Sequence, residues 1–136
     1  MEIDRFKHQH VEILQGIAQL RKFAHAGIKE NANEIVQHLG KLTSVVSLHL
    51  AIEDRILYPT LQKGQDQHLA EMSRSYQDEM KGIANAYIAF ARKWSKVAAV
   101  ADKAEQFRQE ANTVLKTLHT RMQKENTEFY PAIEAS

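Results

Sequence analysis

The sequence contains no cysteine, and only two prolines and five glycines occur in its 136 residues. The absence of cysteine excludes disulfides, thiolate metal sites and cysteine nucleophiles. Residues that interrupt helices are scarce, and β-branched runs bounded by turns are missing, so the composition predicts an all-helical protein. Charged residues make up 26% of the chain and nearly cancel to a formal net charge of +1. That balance leaves no basic excess for binding a nucleic acid or a membrane surface.

Long apolar runs are also missing, since none approaches the ~18 residues that span a bilayer. The segment from Met1 to Phe6 lacks the apolar core of a signal peptide, so the default expectation is a cytoplasmic protein. A chain of 136 residues suits one hydrophobic core, and we therefore expect a single domain over residues 1–136.

Apolar residues recur at helical spacing along four segments that are joined by short turns. The segments run from about Asp4 to Ala26, Asn33 to Gln62, Asp66 to Val97, and Ala104 to Pro131. Asp102 is a candidate cap for the last helix. Pro59 is expected to end or kink the last turn of the second helix, and Pro131 is expected to close the fourth. Four amphipathic helices with short connections predict an antiparallel up-down-up-down bundle.

Two ionisable residues interrupt the apolar series on the predicted inner face of the second helix. That series alternates steps of four and three residues, and its members are Ile35, Leu39, Leu42, Val46, His49, Glu53 and Ile56. His49 and Glu53 lie four residues apart and therefore share one face of the helix. Burying a carboxylate costs several kcal/mol unless it is paired or binds a metal, so this pair indicates a special site.

The first and fourth helices each carry a similar inward polar residue, His10 and Glu125 respectively. Metal sites in helical bundles are commonly built from inward histidines and carboxylates on facing helices. His10, His49, Glu53 and Glu125 are therefore the predicted metal ligands. The remaining histidines lie off the apolar stripes; four are predicted to be solvated, and His119 could reach the site only if its helix were rotated from the predicted register. The four are His8, His25, His38 and His68.

A faint internal repeat relates the ends of the second and fourth helices. An aromatic-proline step follows the inward glutamate in both, with Pro59 six residues after Glu53 and Pro131 six residues after Glu125. These two helices therefore resemble duplicated partners.

Two motifs resemble the hemerythrin-like (HHE cation-binding) family. They are the run from His10 to Leu14, and the run from His49 through Glu53 to Pro59. The resemblance covers nearly the whole chain. It implies a four-helix bundle with two non-haem irons, bridged by two carboxylates and held mostly by five histidines. It also implies that the protein carries or senses oxygen, or responds to iron and to nitrosative or oxidative stress.

The chain departs from the family pattern in its third and fourth helices. The family places a histidine, often with another four residues earlier, where this chain has Met80 and Tyr76, and it begins a second HxxxE motif where this chain has Arg121. In the family pattern, His10 and His49 serve one metal together with both carboxylates. The resemblance therefore implies that one half-site is kept and the other is lost.

Two interpretations of the remaining site stay open. In one, the four predicted ligands hold a single divalent ion, which could be iron, manganese or zinc, because a thioether, a phenol or a guanidinium is a poor substitute for the lost imidazoles. In the other, no metal binds and Arg121 neutralises Glu53 and Glu125 inside an interaction or structural bundle. We expect sensing, binding or storage rather than oxygen carriage. Enzymatic activity, a protein partner and a homodimer are left open.

Overall fold

The computed structural model describes all 136 residues and contains five helices and no strand. Helix α1 comprises Asp4–Gly27, α3 Gln67–Lys93 and the short α4 Val97–Asp102. Helix α2 runs through Ala32–Ile52, Glu53–Leu57 and Tyr58–Gln62, and α5 runs through Ala104–Lys124, Glu125–Phe129 and Tyr130–Ala135. Helices α1 and α3 each pack against both α2 and α5. The four long helices thus form the predicted antiparallel four-helix bundle, and this fold prediction is confirmed.

The connections differ in detail from those that the sequence predicted. Helix α1 ends at Gly27, whose φ of +138° is strained for any residue with a side chain. Asp66 caps α3, because its side chain accepts a hydrogen bond of 3.0 Å from the amide of Leu69. Helix α3 ends at Lys93 rather than near Val97, and the buried Trp94 follows it.

The connection between the third and fourth predicted helices, which was expected to be a short turn, contains α4. The side chain of Val100 in α4 is fully buried in the core and anchors this short helix against α2 and α5. Asp102 is the last residue of α4, and the residue that precedes α5 is Lys103. The prediction that Asp102 caps the fourth helix is therefore wrong.

A π turn interrupts each of the two helices that the sequence repeat relates. The amide of Tyr58 donates to the carbonyl oxygen of Glu53, and the amide of Tyr130 donates to that of Glu125. A proline follows each turn, and a proline lacks the amide hydrogen while its ring crowds the carbonyl four residues earlier. The π turns, Glu53–Leu57 and Glu125–Phe129, lie just before the prolines, and both helices continue beyond them. The expectation that Pro131 closes its helix is therefore wrong.

The π turn also changes which side chains of α2 face inward. Ile56, which continues the predicted apolar series, is 49% exposed, whereas Leu57 is fully buried. One extra residue per turn shifts the inward face by one position, and this explains the error.

By length and composition alone, the continuous helix Ala32–Gln62 could also cross a membrane, but core helices of soluble proteins pass the same test.

The hydrophobic core consists of two clusters, of 19 and 10 buried residues. At the start of the chain, Ile3 and Phe6 belong to the smaller cluster, and Ile13 and Ile17 on α1 belong to the larger one, with His10 between them. On α2 and α5 the larger cluster comes first along the chain and the smaller one follows Glu53 and Glu125, so buried polar side chains of three helices separate the clusters; on α3, Tyr76 and Met80 belong to different clusters with no buried polar residue between them. We call this set the polar layer; it consists of His10, His49, Glu53, Arg121 and Glu125.

Candidate metal centre

The four residues that were predicted to bind a metal converge within the polar layer. His10 comes from α1, His49 and Glu53 from α2, and Glu125 from α5, and each side chain is at most 1% exposed. One ligand atom from each residue can be chosen so that all four lie within 4.8 Å of one another. The bundle thus places two imidazoles and two carboxylates around a single buried point.

The separations between these atoms are those of ligands around one ion. The Nε2 atom of His10 lies 3.0 Å from Nε2 of His49 and 2.9 Å from Oε1 of Glu125. The Nε2 atom of His49 lies 3.3 Å from Oε2 of Glu53 and 3.8 Å from Oε1 of Glu125. For metal–ligand bonds of about 2.1 Å, neighbouring ligand atoms are separated by about 3.0 to 3.4 Å and opposite ones by about 4.2 Å. The residues present therefore fit a metal ion.

Side-chain amides from outside the cluster orient both imidazoles. The Nδ1 atom of His49 lies 2.7 Å from Oε1 of Gln9, and Nδ1 of His10 lies 2.8 Å from Oδ1 of Asn126. Because an amide oxygen only accepts hydrogen bonds, each Nδ1 carries the hydrogen and donates it. In the neutral imidazoles the lone pairs are then on the Nε2 atoms, which face the cluster. This is the tautomer that a metal ligand needs.

Glu53 is the least satisfied member of the cluster. It is fully buried, yet neither of its carboxylate oxygens accepts a hydrogen bond. Burial, together with the nearby charge of Glu125, raises the pKa of Glu53 to about 7. A buried carboxylate without a donor is expensive, and a cation is the partner that such a group lacks.

Arg121 lies inside the polar layer, only 3% exposed. Its Nε donates to Oε2 of Glu125 over 2.6 Å, and its Nη2 donates to the carbonyl oxygen of Tyr76 over 2.8 Å and to the hydroxyl of Tyr58 over 3.3 Å. The guanidinium also lies 4.5 Å from the centre of the Tyr76 ring. These contacts offset the cost of burying the charge and leave Oε1 of Glu125 facing the histidines.

The charges in this layer act on one another. Burial disfavours the charged form of Glu125, but His10, His49 and Arg121 outweigh it and hold the pKa of that carboxyl far below its usual range. Burial likewise disfavours a charged His49, yet the carboxylates of Glu53 and Glu125 raise its pKa to about 9. In the metal-free protein, a proton on His49 therefore supplies part of the positive charge that the carboxylates require.

The other two positions at which the chain departs from the family pattern lie on α3. Met80 packs in the larger hydrophobic cluster. The ring of Tyr76 stacks on Phe129 with centroids 4.4 Å apart, and its hydroxyl donates to Glu128 over 3.2 Å. Neither side chain takes part in the hydrogen bonds or close pairs of the ligand cluster.

Sequence reasoning missed four residues that contact the cluster or Arg121, namely Gln9, Asn126, Tyr58 and Tyr130. Gln9 and Asn126 are chain neighbours of His10 and Glu125, and no pattern distinguishes them from surface amides. The two tyrosines carried a signal, because each stands five residues after a site glutamate in the internal repeat.

The histidines outside the cluster lie mostly where they were predicted. His38 is an exception, because it is half-buried, with its ring centroid 5.0 Å from that of Phe23. His119 is half-buried and stays outside the cluster. The exposed ones are His8, His25 and His68.

Comparison with known families agrees with this geometry. Residues 1–133 match the family described as the hemerythrin HHE cation binding domain. The chain belongs to the hemerythrin family. No curated protein and no solved structure matches it significantly. This hemerythrin domain is thus a cation-binding fold with a buried histidine and glutamate cluster that can hold a metal.

Proposed function

We propose that this hemerythrin domain binds a single metal ion, most naturally non-haem iron, through His10, His49, Glu53 and Glu125. The observation that carries the proposal is Glu53, a fully buried carboxylate whose oxygens make no hydrogen bond and lie beside Nε2 of His49. We further propose a cytoplasmic protein that senses, binds or stores the metal rather than carrying oxygen.

Arg121 and α3 support one ion rather than two. In the family pattern, a histidine at position 121 would start the second HxxxE motif, four residues before Glu125. Here a guanidinium lies in that place and takes Oε2 of Glu125. Since a guanidinium cannot ligate, and since Met80 lies in the hydrophobic cluster, the second half-site lacks nitrogen donors.

A bound iron ion would supply a redox-active positive charge in a water-poor site. The protein's own residues would orient the ligands of that ion. Gln9 and Asn126 keep the imidazole lone pairs directed inward, and Arg121 fixes Glu125. Because the ligands come from three helices, occupancy changes the stability of the whole bundle. That coupling suits a sensor or a binding module.

A metal-free structural or interaction bundle is the second candidate. The 2.6 Å contact between Arg121 and Glu125 favours it, because this pair neutralises one carboxylate without a metal. However, Arg121 makes no hydrogen bond to Glu53, whose Oε2 lies 3.3 Å from Nε2 of His49. The metal-free interpretation therefore needs a proton on Glu53 or on His49 to balance the second carboxylate, a role that a metal ion would take over.

Metal analysis after anaerobic loading with ferrous iron tests the proposal. The wild-type domain should hold about one equivalent, and His49→Ala should abolish binding, because it removes a nitrogen ligand. His68→Ala is the matched control, since His68 is exposed and far from the polar layer in sequence. Two equivalents in the wild type would contradict the half-site, and a folded protein that binds none would favour the metal-free bundle.

A further inference from the structure

The hydroxyl of Tyr130 reaches the same point as the four ligand atoms. It lies 2.9 Å from Nε2 of His10 and 3.3 Å from Oε1 of Glu125. The residue is fully buried, and its ring stacks on the imidazole of His10 with centroids 4.8 Å apart. Both hydrogen-bond partners of this hydroxyl are therefore atoms of the ligand cluster.

The Tyr130 oxygen lies as far from Nε2 of His10 as the ligand atoms of Glu125 and His49 do. From Nε2 of His10, the oxygen of Tyr130 is 2.9 Å away, that of Glu125 2.9 Å, and the nitrogen of His49 3.0 Å. These are the separations of about 3 Å expected between adjacent ligands of one ion. We propose that Tyr130 is a fifth ligand of the metal, bound as a phenolate, and that it makes the site selective for ferric iron. The inference rests on the proposed function.

Metal binding removes the main alternative role of this hydroxyl. In the metal-free cluster the phenol can donate its hydrogen to Nε2 of His10 or to Oε1 of Glu125. Once those two atoms ligate an ion, the lone pair of His10 is no longer available as an acceptor. Ligation then breaks the O–H bond, releases the proton to solvent and forms a metal–oxygen bond, without any change in oxidation state.

The donor set explains the preference for a trivalent ion. With Tyr130, the cluster offers three anionic oxygen ligands, from Glu53, Glu125 and the phenolate, together with two imidazole nitrogens. Hard anionic oxygens favour hard cations of high charge, so the set matches ferric iron better than zinc. The guanidinium of Arg121 donates to Oε2 of Glu125, the oxygen that faces away from the histidines, and makes no contact with the hydroxyl of Tyr130.

The internal repeat supplies a matched control for this role. Tyr58 stands in the same place relative to Glu53 as Tyr130 does relative to Glu125, at the end of a π turn. The hydroxyl of Tyr58, however, accepts a hydrogen bond from Arg121 instead of meeting the histidines. Tyr58→Phe therefore removes an equivalent buried hydroxyl without removing the proposed ligand.

The test loads wild type, Tyr130→Phe and Tyr58→Phe with ferric nitrilotriacetate and measures iron content, visible absorption and resonance Raman spectra. Wild type and Tyr58→Phe should show a phenolate-to-iron charge-transfer band with enhanced tyrosine ring vibrations, and Tyr130→Phe should retain iron but lose the band. Iron bound by the wild type without these signals would overturn the ligand role and leave the proposed function standing. Persistence of the band in Tyr130→Phe would overturn the ligand role in the same way.

A wild type that binds no iron would overturn the ligand role and the proposed function together. Thermal unfolding of each variant checks that it is folded. If Tyr130→Phe does not fold, wild-type protein and Tyr58→Phe decide the matter, because the Raman signature of a bound phenolate is either present in both or absent.

Discussion

Oε1 of Gln9 lies 2.7 Å from Nδ1 of His49 and accepts its hydrogen, although the two residues belong to different helices. Gln9 immediately precedes His10, whose own Nδ1 is held by Asn126, the neighbour of Glu125. The residue beside each of these two ligands therefore orients a ligand on another helix. This arrangement fixes the direction of both imidazole lone pairs before any ion arrives.

Replacing Gln9 should weaken metal binding without removing a ligand. In Gln9→Leu, His49 loses the acceptor for its Nδ1 hydrogen, so its tautomer and ring orientation are no longer fixed. We expect the affinity for ferrous iron to fall by roughly 10- to 100-fold, measured by competition with a chelator. Gln19→Leu on the exposed face of the same helix is the control and should bind as the wild type does. Equal affinities for the two variants would show that Gln9 has no orienting role.

Removing the buried guanidinium should destabilise the metal-free domain. Arg121→Met preserves bulk but leaves Glu125 without its cationic partner and the carbonyl of Tyr76 without its donor. Breaking a buried pair in this way costs about 3 kcal/mol or more, which urea unfolding can measure. Arg108→Met, which removes an exposed pair with Glu105, should cost little. A loss under about 1 kcal/mol for Arg121→Met would mean that the carboxylate is neutralised in another way.

The stability of the metal-free domain should fall as the solution becomes more alkaline. The pKa of His49 is raised from 6.5 to about 9, so the folded state binds this proton more tightly than the unfolded chain does. Its stabilisation is complete below pH 6.5 and is lost as the pH rises through 9. The raised pKa of Glu53 acts in the same direction between pH 4.5 and 7. Urea unfolding from pH 6 to pH 10 measures this slope.

Metal should reverse that pH dependence, because the ligands must be deprotonated before they bind. Iron-loaded protein should gain stability relative to metal-free protein as the pH rises toward 9, where His49 loses its proton. In His49→Gln, the metal-free slope between pH 6.5 and 9 should disappear. A slope that is unchanged in this variant would place the titrating group elsewhere.

Two substitutions toward the family pattern should add a second metal site. Arg121→His removes the guanidinium and places an imidazole four residues before Glu125, and Met80→His supplies a donor from α3. The double variant should bind about two equivalents of iron, whereas Arg121→His alone should bind about one. Metal analysis distinguishes these results. A double variant that folds and still binds one ion would show that more than these two donors has been lost.

The sequence predicted the inward positions of the long helices well up to the site glutamates. Every position from Ile35 to Glu53 that was predicted to face inward is buried, because the apolar side of a regular helix shows in the sequence which face packs against the core. The prediction failed at Ile56, immediately after Glu53, since the extra residue of the π turn shifts the inward face. Helical periodicity assumes a constant number of residues per turn, and the amide–carbonyl pairing that changes it leaves no mark in hydropathy.

The four ligand candidates could be predicted because a polar residue on an apolar face is visible in one helix at a time. The contacts of Gln9, Asn126, Tyr58 and Tyr130 could not, since each joins two helices and depends on how those helices are rotated in the bundle. Arg121 lies between these cases. Its inward position was visible, but its choice of Glu125 over Glu53 depends on the carbonyl of Tyr76 and the hydroxyl of Tyr58.

The polar layer between the two hydrophobic clusters has a consequence for how the bundle opens. Without an ion, the polar layer joins α1, α2 and α5 between the clusters through hydrogen bonds and charge pairs, so the smaller cluster can lose its structure as a separate cooperative unit. An ion bound by ligands from α1, α2 and α5 would make the two clusters unfold together. Amide hydrogen exchange near Phe6 and Phe129 would then slow to the rate of global unfolding.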